Sequence, residues 1–179
     1  MSVKEKKRVK SGYDELGGDL YNLRYREEQE VKYEIIFSLI NVELDDLILD
    51  DGCGSGMIMD RLVGSTVGFD LSAELLATAI TKLKSFHYLV QGDAEMLPFR
   101  GEIFNKVISV TLIQNTPNPA EVFSEIKRVI MFKGCFAISV LKKAFTLERF
   151  QRLLEDTNFS RLSFLPIEDN HDWFSYGER

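Results

Sequence analysis

The stretch that most constrains this chain is Leu47-Ile48-Leu49-Asp50-Asp51-Gly52-Cys53-Gly54-Ser55-Gly56. Residues 47–49 form a short apolar run, as expected of a strand buried on both faces of a parallel sheet. Three glycines at alternate positions follow, and residues 57–63 then offer side chains that can start a helix. Strand, glycine turn and helix together bring bare backbone close to a ligand, because glycine accepts positive φ and presents no side chain. The dinucleotide spacing G-x-G-x-x-G is not met, since the third glycine comes one residue early. An ordinary glycine-rich loop would look the same in isolation, so its meaning depends on the rest of the chain.

Upstream, residues 19–40 predict a helix, with Val31, Ile35 and Leu39 at i, i+4 spacing and Ile36 and Ile40 beside them. Glu28 and Lys32 are expected to pair on its outer side. Tyr21, Tyr25 and Tyr33 ride on this helix, either packed on the sheet or forming a lid. Downstream, residues 65–70 read as a second strand, and Ser72 as the cap of a helix from 73 to about 84. Residues 86–90 and 106–113 are a third and a fourth strand. Asn118, Pro119 and Glu121 predict an N-cap, a proline at the first helical position and a capping-box partner, for a helix that stops at Gly134. Residues 135–141 are a fifth strand, and Thr146 caps a further helix. Residues 162–167 and 173–176 are two short strands suited to an antiparallel hairpin.

This alternation predicts an α/β, Rossmann-like, doubly wound fold. Its seven-stranded sheet is mostly parallel and ends in the antiparallel hairpin. One domain is expected at 179 residues. Residues 1–18 would be a basic tail and 19–179 the domain, made of an N-terminal helix (19–41), a core (47–141) and a C-terminal helix with strands (146–179).

Composition removes several classes. No apolar run approaches the ~20 residues of a membrane span, and the charged start leads into no signal-peptide core. Cys53 and Cys135 are isolated, which makes neither a disulfide framework nor a zinc site. A reduced, cytoplasmic protein without membrane contact is expected. The net charge of −6 is uneven, because Lys4, Lys6, Lys7, Arg8 and Lys10 crowd the first ten residues against Glu5 alone. Such a tail on an acidic body can grip phosphates; it is also the pattern of a solvated terminus.

Acidic residues close three successive strand ends: Asp50 before the glycines, Asp70 at the end of the second strand, and Asp93 in Gly92-Asp93-Ala94-Glu95-Met96-Leu97-Pro98-Phe99. Ligands of open α/β sheets bind at the carboxyl ends of strands, and a carboxylate can accept hydrogen bonds from two ribose hydroxyls. With D-x-G-x-G-x-G at the turn and Thr111-Leu112-Ile113-Gln114-Asn115-Thr116-Pro117-Asn118-Pro119 after the fourth strand, residues 47 to 141 resemble the class I S-adenosylmethionine-dependent methyltransferases, four motifs in order. The resemblance implies S-adenosylmethionine as cofactor. Its amino-acid end would meet the backbone of Gly52, Cys53, Gly54 and Gly56, with Asp50 fixing the turn and reaching the amino group through water. Asp70 would take the ribose hydroxyls, Leu71 would pack on the adenine, Asp93 would accept from the adenine amino group, and the Ala94 amide would donate to the ring. Thr111, Gln114 and Asn115 would face the transferable methyl. Asp51 departs from the family pattern at a usually apolar position, Asn105 stands for a frequent aspartate, and residues 131–135 lack the proline and second glycine common before the fifth strand. None of these is expected to touch the cofactor contacts.

Gln114 and Asn115 stand where many relatives carry histidines, and amides cannot act as general bases. His87 falls in the third strand and His171 in the C-terminal segment. An alcohol or phenol acceptor is therefore less natural than an amine, which attacks first and loses its proton afterwards. The expected reaction is in-line methyl transfer to a nitrogen, with the protein positioning the acceptor behind the methyl carbon. The lack of a long insertion between the late strands favours an RNA base over a small molecule, and the acidic body leaves room for a protein partner subunit that supplies an RNA surface. The alternatives are a small-molecule methyltransferase, a nicotinamide-dependent oxidoreductase, which the glycine spacing and Asp93 disfavour, and a non-catalytic cofactor-binding or scaffold module.

Overall fold

The computed structural model describes residues 8, 10–12, 14, 15 and 18–179, with backbone alone for 18–22, 24 and 25. Most of the expected tail, Tyr13, and the side chains of Tyr21 and Tyr25 thus lie outside the described residues. Seven strands form one sheet: β1 (Leu47–Asp51), β2 (Ser65–Asp70), β3 (His87–Gln91), β4 (Phe104–Val110), β5 (Ile130–Leu141), β6 (Ser160–Leu165) and β7 (Asp172–Glu178). Their order is β3-β2-β1-β4-β5-β7-β6. The first five strands pair in parallel, while β7 runs antiparallel to both β5 and β6. This is the mostly parallel seven-stranded sheet with a C-terminal antiparallel pair that the sequence predicts.

Helices cover both faces, which explains why β1 is apolar without alternation. Ile48 packs on one side with Tyr33 and Ile36 of α1 (Gly18–Leu39) and with Ile40 just beyond its end. Leu49 packs on the other with Val122, Phe123 and Ile126 of α3 (Pro119–Val129) and Phe150 of α4 (Leu147–Glu155). Both strand residues are fully buried, as a strand between two helical layers requires. A further helix, α2 (Ala73–Ala79), follows β2 and is capped by Ser72, whose hydroxyl accepts from the Leu75 amide at 3.2 Å. Thr146 caps α4 in the same way, accepting from the Arg149 amide. No helix among the described residues is long and apolar enough to cross a membrane.

Several local expectations are corrected. After the glycine turn there is only a 3-10 turn, Met59–Arg61, because positive φ at Gly52, Gly54 and Gly56 leaves too few residues to offset helix nucleation before β2. α2 ends at Ala79 and passes into a 3-10 turn, Ile80–Lys82, rather than reaching 84. β4 stops at Val110, since Thr111 takes φ +60, which cannot continue a strand. Asn118 makes no side-chain cap; its amide donates instead to Glu95 Oε1 at 2.6 Å. α3 ends at Val129 and turns straight into β5, which runs through Gly134 instead of starting after it.

The inward face of α1 also differs from the expected one. Val31 is 55% exposed, whereas Lys32 is 0% exposed and points into the protein. Its ammonium pairs with Glu28 at 2.7 Å, as the spacing predicts, and with Asp172 Oδ1 of β7 at 3.2 Å. It also donates to Thr111 Oγ1 at 3.1 Å. The Thr111 hydroxyl donates in turn to Asp172 Oδ2 (3.1 Å), which also accepts from Ser139 Oγ of β5 (2.7 Å). A stripe chosen by hydropathy alone misses this, because the partner that makes Lys32 burial tolerable lies 140 residues later.

Removing one member of a buried ion pair strands the other, at a cost of about 3–5 kcal/mol, whereas replacing both with apolar groups is often close to neutral. Asp172→Ala should therefore destabilise the protein by ~3–5 kcal/mol in denaturant titrations. Adding Lys32→Met to that variant should recover most of the loss, and an additive double mutant would show that the pair is not coupled.

Candidate active site

A cleft of about 730 Å³, partly open to solvent, lies at the carboxyl ends of β1 to β4. The strand order reverses between β1 and β4, the place where open α/β sheets take ligands. Its floor begins at the glycine turn. Gly52 sits at φ +84, and a Cβ there would come within 2.9 Å of Leu112 Cβ, so both space and conformation require glycine. At Gly54 the nearest atom would be 3.9 Å away, and only the φ of +54 excludes a side chain. The amides of Gly52 and Cys53 both donate to the Phe69 carbonyl, at 2.8 and 3.0 Å. The Gly54 amide donates to Asp70 Oδ2 at 2.9 Å.

Asp70 thus clamps the turn. Its other oxygen accepts from the Ser72 amide at 2.8 Å. Burial raises its pKa, and hydrogen bonds from the Ser72, Gly54 and Leu71 backbone work against that rise. A carboxylate has about four acceptor sites, so two remain for vicinal hydroxyls of a ribose. Asp50 lies buried behind the turn, outside the cleft lining, with Oδ2 lacking a partner among the described residues. Burial first, and the Asp70 charge second, push its pKa up to about 8. An orphaned acceptor beneath a bare-backbone turn fits the amino group or bridging water of an amino-acid moiety.

Leu71, Asp93 and Ala94 line the cleft as expected, and Asp93 Oδ1 accepts from the Glu95 amide at 3.1 Å. At the opposite end stand Thr111, Asn115, Thr116 and Pro117. The Thr111 amide donates to the Ser139 carbonyl (3.1 Å), and Asn115 Nδ2 donates to the Thr111 carbonyl (3.3 Å). The network through Lys32 and Asp172 holds Thr111 in its positive-φ conformation from behind.

Five expected residues do not line the cleft, Asp50 among them. The Cys53 thiol packs with Met59 and Leu76, and burial pushes its pKa well up, so any contact with a ligand would be through backbone. Gly54 and Gly56 shape the turn from outside the lining. Gln114 hydrogen-bonds the Thr111 carbonyl through Nε2 and buries Oε1 with no partner among the described residues, and it is not part of the cleft lining. Neither histidine lines the cleft. Among the described residues, no group of three or more His, Cys, Asp or Glu is arranged to hold a metal.

Other lining residues were not singled out by the sequence. Phe69 and Leu112 are apolar walls with no signal beyond hydropathy. Lys10 reaches the cleft and pairs with Asp14 at 2.7 Å, while Asp14 accepts from the Ser72 hydroxyl. Asp51, expected to be uninvolved, lines the cleft as well. Its signal was a charged residue at an apolar strand position.

Residues 49–138 match the family described as the methyltransferase domain. The chain is 33% identical over 140 residues to an uncharacterized protein of Methanocaldococcus jannaschii, covering 76% of this chain and 53% of that one. It is 31% identical over 126 residues to the malonyl-[acyl-carrier protein] O-methyltransferase of a Marinomonas species, covering 66% and 47%. The chain spans about half the length of these curated relatives. Among solved structures, a complex between the Haloferax volcanii Trm112 methyltransferase activator and a methyltransferase superposes with a TM-score of 0.78 at 16% identity, covering 93% of this chain and 96% of that one. At that identity the likeness is one of fold. The matched span covers half of the chain and carries the glycine turn, the carboxylates after β2 and β3, and the Thr111–Asn115 corner: the chain belongs to the methyltransferase-domain family, as a class I S-adenosylmethionine-dependent methyltransferase.

Proposed function

We propose that the protein transfers the methyl group of S-adenosylmethionine to a nitrogen, with an RNA base as the acceptor. The observation that carries this reading is the placing of Asn115, and of no histidine, at the end of the cleft opposite Asp70. When bound, the cofactor supplies an electrophilic methyl: the nitrogen lone pair forms the new N–C bond as the C–S bond breaks, its electrons pass to sulfur, and an amine then sheds its proton to water. The chain's own work is positioning. Asp70 holds the ribose, the glycine turn accommodates the amino-acid end, Leu71 and Ala94 hold the adenine, and Asn115 orients the acceptor nitrogen. Gln114 is assigned the lesser task of bracing the Thr111 carbonyl.

Lys10 and Asp14 approach the cleft at Ser72, beside the ribose and adenine positions. Closure there leaves the methyl end to Thr111, Asn115, Thr116 and Pro117, which suits an acceptor too large to be engulfed. The Haloferax neighbour was solved with an activator subunit, and a comparable partner would offer this acidic chain a basic RNA surface in the cytoplasm. A small nitrogenous metabolite is the second reading, favoured by the reach of Lys10 into the same cleft. A carboxylate acceptor is disfavoured, because Asp51, Asp70 and Asp93 already line the cleft.

Incubation with cofactor labelled at the methyl, followed by counting RNA, protein and metabolite fractions, tests the acceptor. Label in the metabolite fraction alone would overturn the RNA reading. Bound cofactor with no incorporation anywhere would make the protein a non-catalytic module. Asp70→Ala is expected to weaken S-adenosylhomocysteine binding by ~1.5–3 kcal/mol, the scale of hydrogen bonds to a charged group. It should also lower thermal stability, because the Gly54 and Ser72 amides lose their acceptor; calorimetric affinity within twofold of the parent would remove the ribose assignment. Asn115→Ala should reduce turnover and leave that affinity nearly unchanged. Equal turnover would take Asn115 out of the mechanism.

A further inference from the structure

Asp51 neither holds the cofactor nor orients the acceptor in the reading above. In β1 it registers with Phe69 of β2 and shares the sheet face of Leu49, so its carboxyl points to the layer under α3. The side chain is fully buried, neither oxygen has a hydrogen-bond partner among the described residues, and the residue forms part of the cleft lining. The charged groups acting on it most strongly are all acidic: Asp50 on its own strand, Asp70 at the tip of β2, Asp93 after β3, and Glu125 from α3. Glu125 is partly neutralised by Arg128 at 2.6 Å and accepts from the Leu97 amide. Lys10, in the same lining, is engaged with Asp14. Burial first, and these acids after it, hold the Asp51 carboxyl well above the usual carboxylate range. A leucine would fill the place without that penalty, and a buried polar group left unpaired calls for an explanation.

We propose that Asp51 makes the cleft selective for charge, favouring the sulfonium cofactor over its product S-adenosylhomocysteine, in which the same sulfur is an uncharged thioether. The inference rests on the cofactor assignment above. A cation brought beside a carboxyl that is itself buried from water stabilises its ionised form more than it would that of an exposed one. Cofactor binding therefore expels the Asp51 proton to solvent. Methyl transfer cancels the sulfur's charge, the carboxylate loses its counter-charge, and the product is held less tightly than the substrate was. Release of product is thus built into the floor of the site.

Calorimetric titration of the full chain with each ligand, at pH 7 in two buffers of different ionisation enthalpy, counts the protons released. S-adenosylmethionine should release a large fraction of one proton and S-adenosylhomocysteine markedly less. Affinity for the first should rise with pH by up to tenfold per unit more than affinity for the second, whose own slope is left to Asp50 beneath the amino-acid end that both ligands share. Asp51→Asn should abolish the difference in proton count and narrow the affinity ratio about tenfold, with S-adenosylhomocysteine affinity within twofold of the parent. Asp51→Leu is the folding control. A carboxyl raised in the folded state contributes stability at low pH that is lost as pH climbs through the folded pKa. The ligand-free parent should therefore lose stability from about pH 4 to pH 8 and beyond, and Asp51→Leu should show a higher Tm and a shallower slope, with Asp50 supplying the remainder. Equal proton counts for the two ligands, or undiminished release in Asp51→Asn, would overturn the proposal. Failure of the parent to bind either ligand would instead overturn the cofactor assignment.

Discussion

The site depends on how the backbone amides of one turn are satisfied. Gly52 and Cys53 donate to the carbonyl of Phe69, and Gly54 donates to the carboxylate of Asp70, so the end of β1 is tied to the end of β2 by three hydrogen bonds. A turn with three positive-φ glycines has a large unfolded ensemble to overcome, and such cross-strand bonds are what hold it in one shape. The same carboxylate orders the start of α2 through the Ser72 amide. Ser72 in turn meets Asp14, so the N-terminal segment, the helix after β2 and the bare-backbone turn share a single anchor.

Charge is the second organising fact. Acidic side chains converge on the cleft from β1, β2 and the loop after β3, and burial keeps Asp50 and Asp51 from ionising in the ordinary range. On the proposed function, this acidity lies where the sulfonium cation would bind. The methyl end is different. There the buried charges are matched, Lys32 against Glu28 and Asp172, and the hydroxyls of Thr111 and Ser139 complete the pattern. Matched charges make a rigid wall, while unmatched ones make a responsive floor.

Much of this was legible in the residues. The apolar run at 47–49, the glycines and the carboxylates at 70 and 93 announce a parallel sheet with a ligand at its carboxyl edge, and hydropathy periods place the strands to within a few residues, apart from β5, which begins at Ile130 rather than at 135. What escaped the sequence depended on partners far along the chain. The inward face of α1 was misjudged because Lys32 is buried only by virtue of Asp172. β4 was extended too far because the positive φ at Thr111 comes from tertiary bonds to Ser139 and Asp172 that no local propensity encodes. Asp51 was noted as out of pattern but given no role, since burial and orphaned oxygens are properties of the packed state. Gln114 and Cys53 were placed at the site by position in a motif, and their side-chain directions were not readable.

β7, the last strand in sequence, lies inside the sheet between β5 and β6, and contributes Asp172 to the wall behind Thr111. The glycine-turn side of the cleft is built from residues between 47 and 94, which are close in sequence, whereas the wall behind Thr111 joins residue 32 to residue 172. Contacts of such separation form late, because the loop must close before they can repay it. On the proposed function, the shelf for the cofactor would then consolidate before the wall behind Thr111, which waits on the insertion of β7 between β5 and β6.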